Sequence, residues 1–387
     1  MSETLSATPA GAALPDPGAY ESLLQEKTGL ALYTLSMLPA VAANLPEPEI
    51  FRSAPLYYRS RASFGARRSD DGRLLFYMFT PGFGNHRPYE LKEFAVAVRP
   101  INELMAALSA PGMVDAALAP GLFSASMLAN HQGSLVLALA CHRKITAPLW
   151  LEAASKLRVR LKERGLEVQL VGRARGQLLL SDSDTLSESF PTDERSFRLR
   201  LTEGHFSQPN YAVCTKMVNF ARSLCRECRD QDLLELYCGS GTFTVCLAPL
   251  FRQVLATELT RVAADNAKAS LTANGIENVR IVRLSDDETA AALKRVRPFR
   301  RLEQAQVNLD EYRFGTLLVD PPRQGLSAAA RTLAQDFPRI IYVSCSPVSL
   351  KADLKVLAAS HRVTRLAFFD QFPYTEHIET IALLCRK

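Results

Sequence analysis

Two short segments in the C-terminal third of the chain place an acid and a thiol at the ends of apolar runs. Thr316-Leu317-Leu318-Val319 leads into Asp320-Pro321-Pro322-Arg323, and 25 positions beyond Asp320 the run Tyr342-Val343-Ser344 leads into Cys345-Ser346-Pro347. Both read as strands ending in loops. In an open α/β sheet, ligands bind at the carboxyl ends of strands, so the two loops should face one cleft. The prolines after Asp320 stiffen its loop, since each fixes φ and lacks an N–H donor. Pro347 suits a first helical position. A thiol just before such a helix is expected to feel the positive end of its dipole, with its pKa drawn down toward physiological values. Cys345 is therefore a candidate nucleophile, weighed against the buried structural role more usual for cysteine. Two further acids, Glu376 and Glu379, lie in a loop leading into the strand Thr380–Leu384, which could return one of them to the same cleft. His361 and His377 sit in no base-positioning context, which speaks against a Cys–His hydrolase.

A third loop suggests a ligand. Leu233-Leu234-Glu235-Leu236-Tyr237 is followed by Cys238-Gly239-Ser240-Gly241-Thr242, a strand with a G-x-G turn at the head of a helix. Glycines there let backbone approach a ligand closely. A dinucleotide site wants a third small residue three positions after Gly241, where this chain has Thr244. An acid does stand at the end of the next strand: Glu258, positioned to accept ribose hydroxyls. With no P-loop Lys-Ser/Thr, the loop suits a nucleoside without a polyphosphate, such as S-adenosylmethionine. A glycine helix cap beside a surface Glu is the bland alternative.

The elements that must hold these loops are legible from periodicity. From about Asn210, strands and helices alternate regularly to the C-terminus, which predicts a doubly wound, Rossmann-like parallel sheet over 201–387. Residues 19–200 mix strands (Leu74–Phe79, Ser134–Leu139, Val168–Val171) with helices (Tyr20–Leu38, Ile101–Leu108, Leu149–Arg164). That mixture predicts an α+β domain on an antiparallel sheet. Residues 1–18, rich in Ala, Pro and Gly, are expected to be a disordered lead without the pattern of a signal peptide. At 387 residues, two domains are the default. Composition (47% hydrophobic, 22% charged) fits a globular chain, and no apolar run is long enough for a membrane span. The net charge of +6 is compatible with a polyanionic partner without requiring one. The eight cysteines are expected to be reduced thiols. Cys225-Arg226-Glu227-Cys228, with no second pair at metal-site spacing, reads as two helix-borne thiols.

Several segments together resemble the uracil-5-methyltransferases that act on RNA, and most closely the tRNA branch of that family. They are Phe206-Ser207-Gln208-Pro209-Asn210, Leu234–Gly239, Val319–Leu326, Ser344-Cys345 and Asp370–Thr375, with Phe51-Arg52-Ser53 and Tyr58–Ala62 in the N-terminal half. The resemblance covers nearly the whole chain. It implies S-adenosylmethionine-dependent methylation of uridine carbon 5 in the tRNA T-loop (position 54), and of T-loop-like hairpins such as that of tmRNA. It assigns the nucleophile to Cys345 and the proton acceptor to Glu379, ahead of Glu376. Gln208, Tyr237, Gly239, Thr242, Glu258 and Asp320 would serve the cofactor; Thr242 departs from the asparagine usual there. Tyr58, Arg59, Arg61 and Phe64 have the aromatic and basic composition of an RNA platform. No metal or iron–sulfur cluster is implied. The chain is expected to be cytoplasmic, not membrane-bound, and monomeric. Methylation of 23S ribosomal RNA, or an RNA-folding role with secondary methylation, are the rival readings.

Overall fold

In the computed structural model, which describes residues 15–79 and 88–387, two large sheets carry the chain. Of the expected disordered lead, residues 1–14 lie outside the described residues, and Pro17–Ala19 forms one 3₁₀ turn. Helix α1 (Tyr20–Ser36) buries Leu24, Lys27, Thr28, Ala31 and Leu35, one stripe at three- and four-residue spacing. The short α2 (Pro39–Ala42) and strand β1 (Glu49–Phe51) follow.

The N-terminal sheet is built from β2 (Arg61–Arg68), β3 (Leu74–Phe79), β4 (Pro88–Leu91), β5 (Leu122–Ala129), β6 (Leu135–Cys141), β7 (Val168–Ala174) and β8 (Gln177–Leu180), in the order β4-β3-β2-β5-β6-β7-β8. Its pairs are antiparallel except β6–β7, which run parallel because α4 (Ala147–Lys162) crosses between them. With α3 (Arg99–Leu108) it encloses a core that includes Phe64, Phe76, Leu104, Trp150 and Leu157.

Where a domain boundary was expected, the hairpin β9 (Thr185–Pro191) and β10 (Ser196–Thr202) forms instead. Phe190, Phe197 and Leu199 pack into the C-terminal core with Met217 and Val245. Leu24, Ala31 and Leu35 of α1 likewise belong to the C-terminal core. Residues 20–51 thus pack with the C-terminal half, while the hairpin bridges the two halves, since Leu186 and Leu201 pack against Val136 and Val171 of the N-terminal sheet; a division at residue 200 falls inside β10.

The C-terminal half runs α5 (Tyr211–Leu224), β11 (Asp232–Leu236), α6 (Thr242–Leu247), β12 (Val254–Thr257), α7 (Arg261–Ala273), β13 (Val279–Val282), α8 (Asp286–Leu293), α9 (Arg300–Gln304), β14 (Phe314–Val319), α10 (Ala328–Ala334), β15 (Arg339–Ser344), α11 (Pro347–Leu357), β16 (His361–Phe369) and β17 (Glu379–Arg386). The sheet order is β1-β16-β17-β15-β14-β11-β12-β13. Strands β11 to β15 are parallel to their neighbours, β17 inserts antiparallel between β15 and β16, and β1 extends the edge beside β16. The sheet is covered on both faces: alternate residues of β11 enter different cores, Leu233 one and Leu234 and Leu236 the other. Helix α5 stops at Leu224, so Cys225 caps it and Cys228 lies in the following turn; both are buried. No helix among the described residues is long and apolar enough to cross a membrane.

Candidate active site

The strand order reverses between β11 and β14, which opens a crevice at their carboxyl ends. The glycine loop leaves β11 and Asp320 leaves β14 at this point. One strand over, β15 ends at Ser344 and Cys345 follows; Ser346 caps α11 by accepting Ser349 N–H at 3.3 Å, with Pro347 in the first turn as expected. Strand β17 supplies the other acid. Ser344 pairs with Thr380 in the antiparallel register, so continuing that register by one residue sets Glu379 opposite Cys345. Glu379 is 4% exposed, whereas Glu376 is on the surface.

The electrostatics of this cluster reverse one expectation. Burial pushes the Cys345 thiol up to about 12, Glu379 and Asp320 push the same way, and the Arg323 guanidinium opposes them. The helix dipole does not lower it, because a dipole end is worth about 0.3–1 kcal/mol while desolvation moves buried groups by up to 3–5 units of pKa, at about 1.4 kcal/mol each. Burial alone raises Asp320 to about 7. Burial, with Asp320 adding and Arg323 opposing, raises Glu379 to about 8. Neither carboxyl has a hydrogen-bond partner among the described residues. A third carboxyl, Glu235 inside β11, is pushed by burial up to about 8. The sequence signal for Glu235 was a lone acid within an apolar strand.

Around the glycine loop, geometry suits a nucleoside. Tyr237 has φ +60 and its hydroxyl donates to the Asp286 carboxylate. Such non-glycine strain gathers at functional sites. The Gly239 N–H donates to Glu258 Oε2 at 3.1 Å, and Thr260 N–H reaches Oε1 at 2.6 Å, so the acid is fixed against the loop. A Cβ on Gly239 would meet nothing within 4 Å, leaving the loop open to a ligand. Gly241, at φ +84, lies so close to α7 that a Cβ would come 2.9 Å from that of Ala267. Thr242 is the first residue of α6. Gln208 Oε1 is buried with no partner among the described residues, which leaves a polar atom for a ligand to satisfy. These residues fit S-adenosylmethionine. Among the described residues no cluster of three or more His, Cys, Asp or Glu is placed to hold a metal ion.

The expected RNA platform divides. Phe64 is 3% exposed, its ring edge-on to Phe76 and Phe94 in the N-terminal core, so it offers no face to a base. That expectation fails because its position in β2 points inward. The Tyr58 hydroxyl donates to Pro373 O at 3.2 Å. Arg59 Nε donates to Arg61 O at 2.9 Å and Arg61 donates to His205 O at 3.1 Å. Neither guanidinium makes a salt bridge to a carboxylate among the described residues. Sequence reasoning also passed over Arg323, whose guanidinium stands 3.1 Å from His377 Nε2 at the mouth of the cleft.

A nucleoside-type glycine loop and a thiol–carboxylate cluster at the switch point of a parallel sheet define a Rossmann-like S-adenosylmethionine-dependent methyltransferase. The sequence model of tRNA (uracil-5-)-methyltransferases matches residues 19–387, and the chain belongs to that family. It is 44% identical over 372 residues to the tRNA/tmRNA (uracil-C(5))-methyltransferase of Ectopseudomonas mendocina (strain ymp), covering 96% of this chain and 98% of that one. The protein of the same name from Azotobacter vinelandii is also 44% identical, with the same coverage. In fold, the chain is similar to the crystal structure of Pyrococcus abyssi tRNA (uracil-54, C5)-methyltransferase in complex with S-adenosyl-L-homocysteine. The TM-score is 0.66 at 17% identity, with 99% of this chain and 88% of that one covered.

Proposed function

We propose that this protein methylates carbon 5 of a uridine in the tRNA T-loop, position 54, and accepts the similar hairpin of tmRNA. The observation that carries the reading is the meeting of Cys345, Glu379 and Asp320 beside the glycine loop. Carbon 5 of uracil is a poor nucleophile until a thiolate adds to carbon 6. Cys345, its thiol proton released to solvent, makes that bond, and the displaced electron pair is delocalised over carbon 5 and the carbonyl at carbon 4. Carbon 5 takes the electrophilic methyl group that S-adenosylmethionine would supply, the sulfur–methyl bond breaking with its electron pair left on S-adenosylhomocysteine. Glu379 then accepts the proton from carbon 5, the carbon 6–sulfur bond breaks, and its electrons return to the Cys345 sulfur. Gln208, Tyr237, Gly239, Thr242, Glu258 and Asp320 hold the cofactor, and Asp320 also orients Glu379. The target atom must leave its stack to reach the cleft. Arg59 and Arg61 are the basic groups available to the RNA backbone, while the Tyr58 hydroxyl is already engaged. The substrate places the work in the cytoplasm, and one chain carries every group named.

The test is a T-arm hairpin with 5-fluorouridine at the target position, incubated with S-adenosylmethionine. Fluorine blocks proton removal, so a denaturant-stable adduct should accumulate on Cys345 and be absent from C345A, which should still bind the RNA. An adduct on 23S ribosomal RNA fragments alone would replace the tRNA reading with the ribosomal one. Unmethylated tRNA bound and refolded equally well by C345A would favour the folding role.

A further inference from the structure

The chemistry above gives no task to the most heavily bonded lysine of the molecule. Lys27 lies in the buried stripe of α1, outside the β–α succession of the catalytic half. Its ammonium pairs with the Asp370 carboxylate, the two side chains being 7% and 0% exposed. It also reaches the carbonyl oxygens of Phe372 at 3.1 Å, His377 at 3.2 Å and Thr375 at 3.5 Å. Asp370 immediately follows Phe369, the register partner of Glu379, and His377 lies two residues before Glu379. One cation therefore fastens both the entry and the exit of the loop that delivers the acid. The Tyr20 hydroxyl also faces Asp370, whose charge helps hold that phenol protonated, but Lys27 is the cation that pairs with it. The same loop contains Tyr374 in the left-handed region, φ +62, packed edge-on against Tyr20 of α1 at 6.2 Å. Asn210 N–H reaches Gln371 Oε1 at 3.1 Å. A buried ion pair is often no more stabilising than apolar side chains of similar size. What this one supplies is a fixed loop geometry.

We propose that Lys27 is a positioning residue for the proton acceptor: it holds residues 370–378 in the conformation that aims the Glu379 carboxyl at the cleft beside Cys345. The proposal rests on the reading of Glu379 given above. Lys27 touches no reacting atom, so its contribution falls on the last step. There the proton leaves carbon 5 for Glu379, the carbon 6–sulfur bond breaks, and the electron pair returns to Cys345. Formation of the carbon 6–sulfur bond needs no proton acceptor at carbon 5 and should proceed without Lys27.

The full chain carrying K27M, and a second version carrying K27M with D370N, separate these steps. The double variant leaves no unpaired buried charge and so guards against simple misfolding. With 5-fluorouridine T-arm RNA and S-adenosylmethionine, both should form the adduct at a rate within about twofold of the unmodified protein. With ordinary T-arm RNA, turnover should fall on the order of 100-fold, the scale of a lost general base. A denaturant-stable protein–RNA complex carrying the transferred methyl should then build up. Adduct formation falling in parallel with turnover would reduce Lys27 to a general structural role. Unchanged turnover in the double variant would overturn the proposal outright. If the unmodified protein itself forms no adduct on fluorinated RNA, the reading of the reaction fails instead, whatever Lys27 does.

Discussion

Cys345, Glu379, Asp320 and Glu235 are chemically ordinary side chains made unusual by burial. With the thiol pushed up to about 12 and Glu379 up to about 8, both lean to their protonated forms at neutral pH, while Asp320, raised to about 7, stands between its two forms. A cationic sulfonium is the kind of ligand such a cleft is built to receive, since it favours the anionic forms of all three. The same shifts make a stability prediction. Glu379 holds its proton in the folded state up to about pH 8, whereas in the unfolded chain it loses it near pH 4.3. Between those values the folded state binds more protons, so stability falls as pH rises through that window. E379Q cannot ionise and escapes this loss. It should melt higher than the unmodified protein, with a gap that widens from pH 6 to about 3–6 °C at pH 9. Melting curves with the same pH dependence in both proteins would show that Glu379 is not held neutral by the fold.

Among the elements, the β11–α6 turn is the most demanding. Gly239 and Gly241 both have left-handed φ, but only Gly241 also abuts α7. The two positions should therefore respond differently to the same change. G241A combines left-handed strain with a 2.9 Å contact to the Ala267 Cβ and should cost about 2–4 kcal/mol. G239A faces open space and should cost about 1 kcal/mol in stability, while its methyl group intrudes where the cofactor would lie. Chemical denaturation and calorimetric titration with S-adenosyl-L-homocysteine measure the two effects separately. Equal losses of stability would mean that the approach of the loop to α7 does not matter. Strand β17 is the other decisive element. Its antiparallel insertion beside β15 brings residues 379 and 345, far apart in sequence, into neighbouring positions.

In the molecule as a whole, the N-terminal half is fastened to the catalytic half near the cleft. Ser60 N–H and hydroxyl reach Pro209 O at 2.7 and 3.0 Å, and Asn210 Nδ2 reaches Ser53 Oγ at 2.7 Å. Arg59 and Arg61 stand at this junction and make no salt bridge to a carboxylate among the described residues, although Glu203 acts on Arg61 from further away. Replacing both by Ala should weaken T-arm RNA binding and lower the slope of log affinity against log salt by about 2. A filter-binding series at several salt concentrations checks this, and an unchanged slope would mean that neither guanidinium meets a phosphate. Phe64, buried in the N-terminal core, should not contribute to that affinity.

Much of this was written locally in the chain. The β–α alternation after Asn210, the glycine turn, and the placing of Asp320 and Cys345 at strand ends follow from side-chain periodicity and turn chemistry. Those signals act over a few residues and survive without tertiary contacts. The family resemblance added Glu379 over Glu376. Tertiary packing alone decided that Phe64 points inward, that α1 and β1 join the C-terminal half, and that the β9–β10 hairpin bridges the two halves. In β9, alternation placed Leu186, Glu188 and Phe190 inside, but the polar letters between and among them disguised a strand as a linker. Packing also decided that Lys27, 343 positions before Asp370, lies beneath the loop bearing the acid. It set the direction of the Cys345 shift, which sequence reasoning drew from the nearby helix alone. A helix end is a local feature, but desolvation and charge depend on every atom that surrounds the thiol, and those atoms come from strands the chain brings together only on folding.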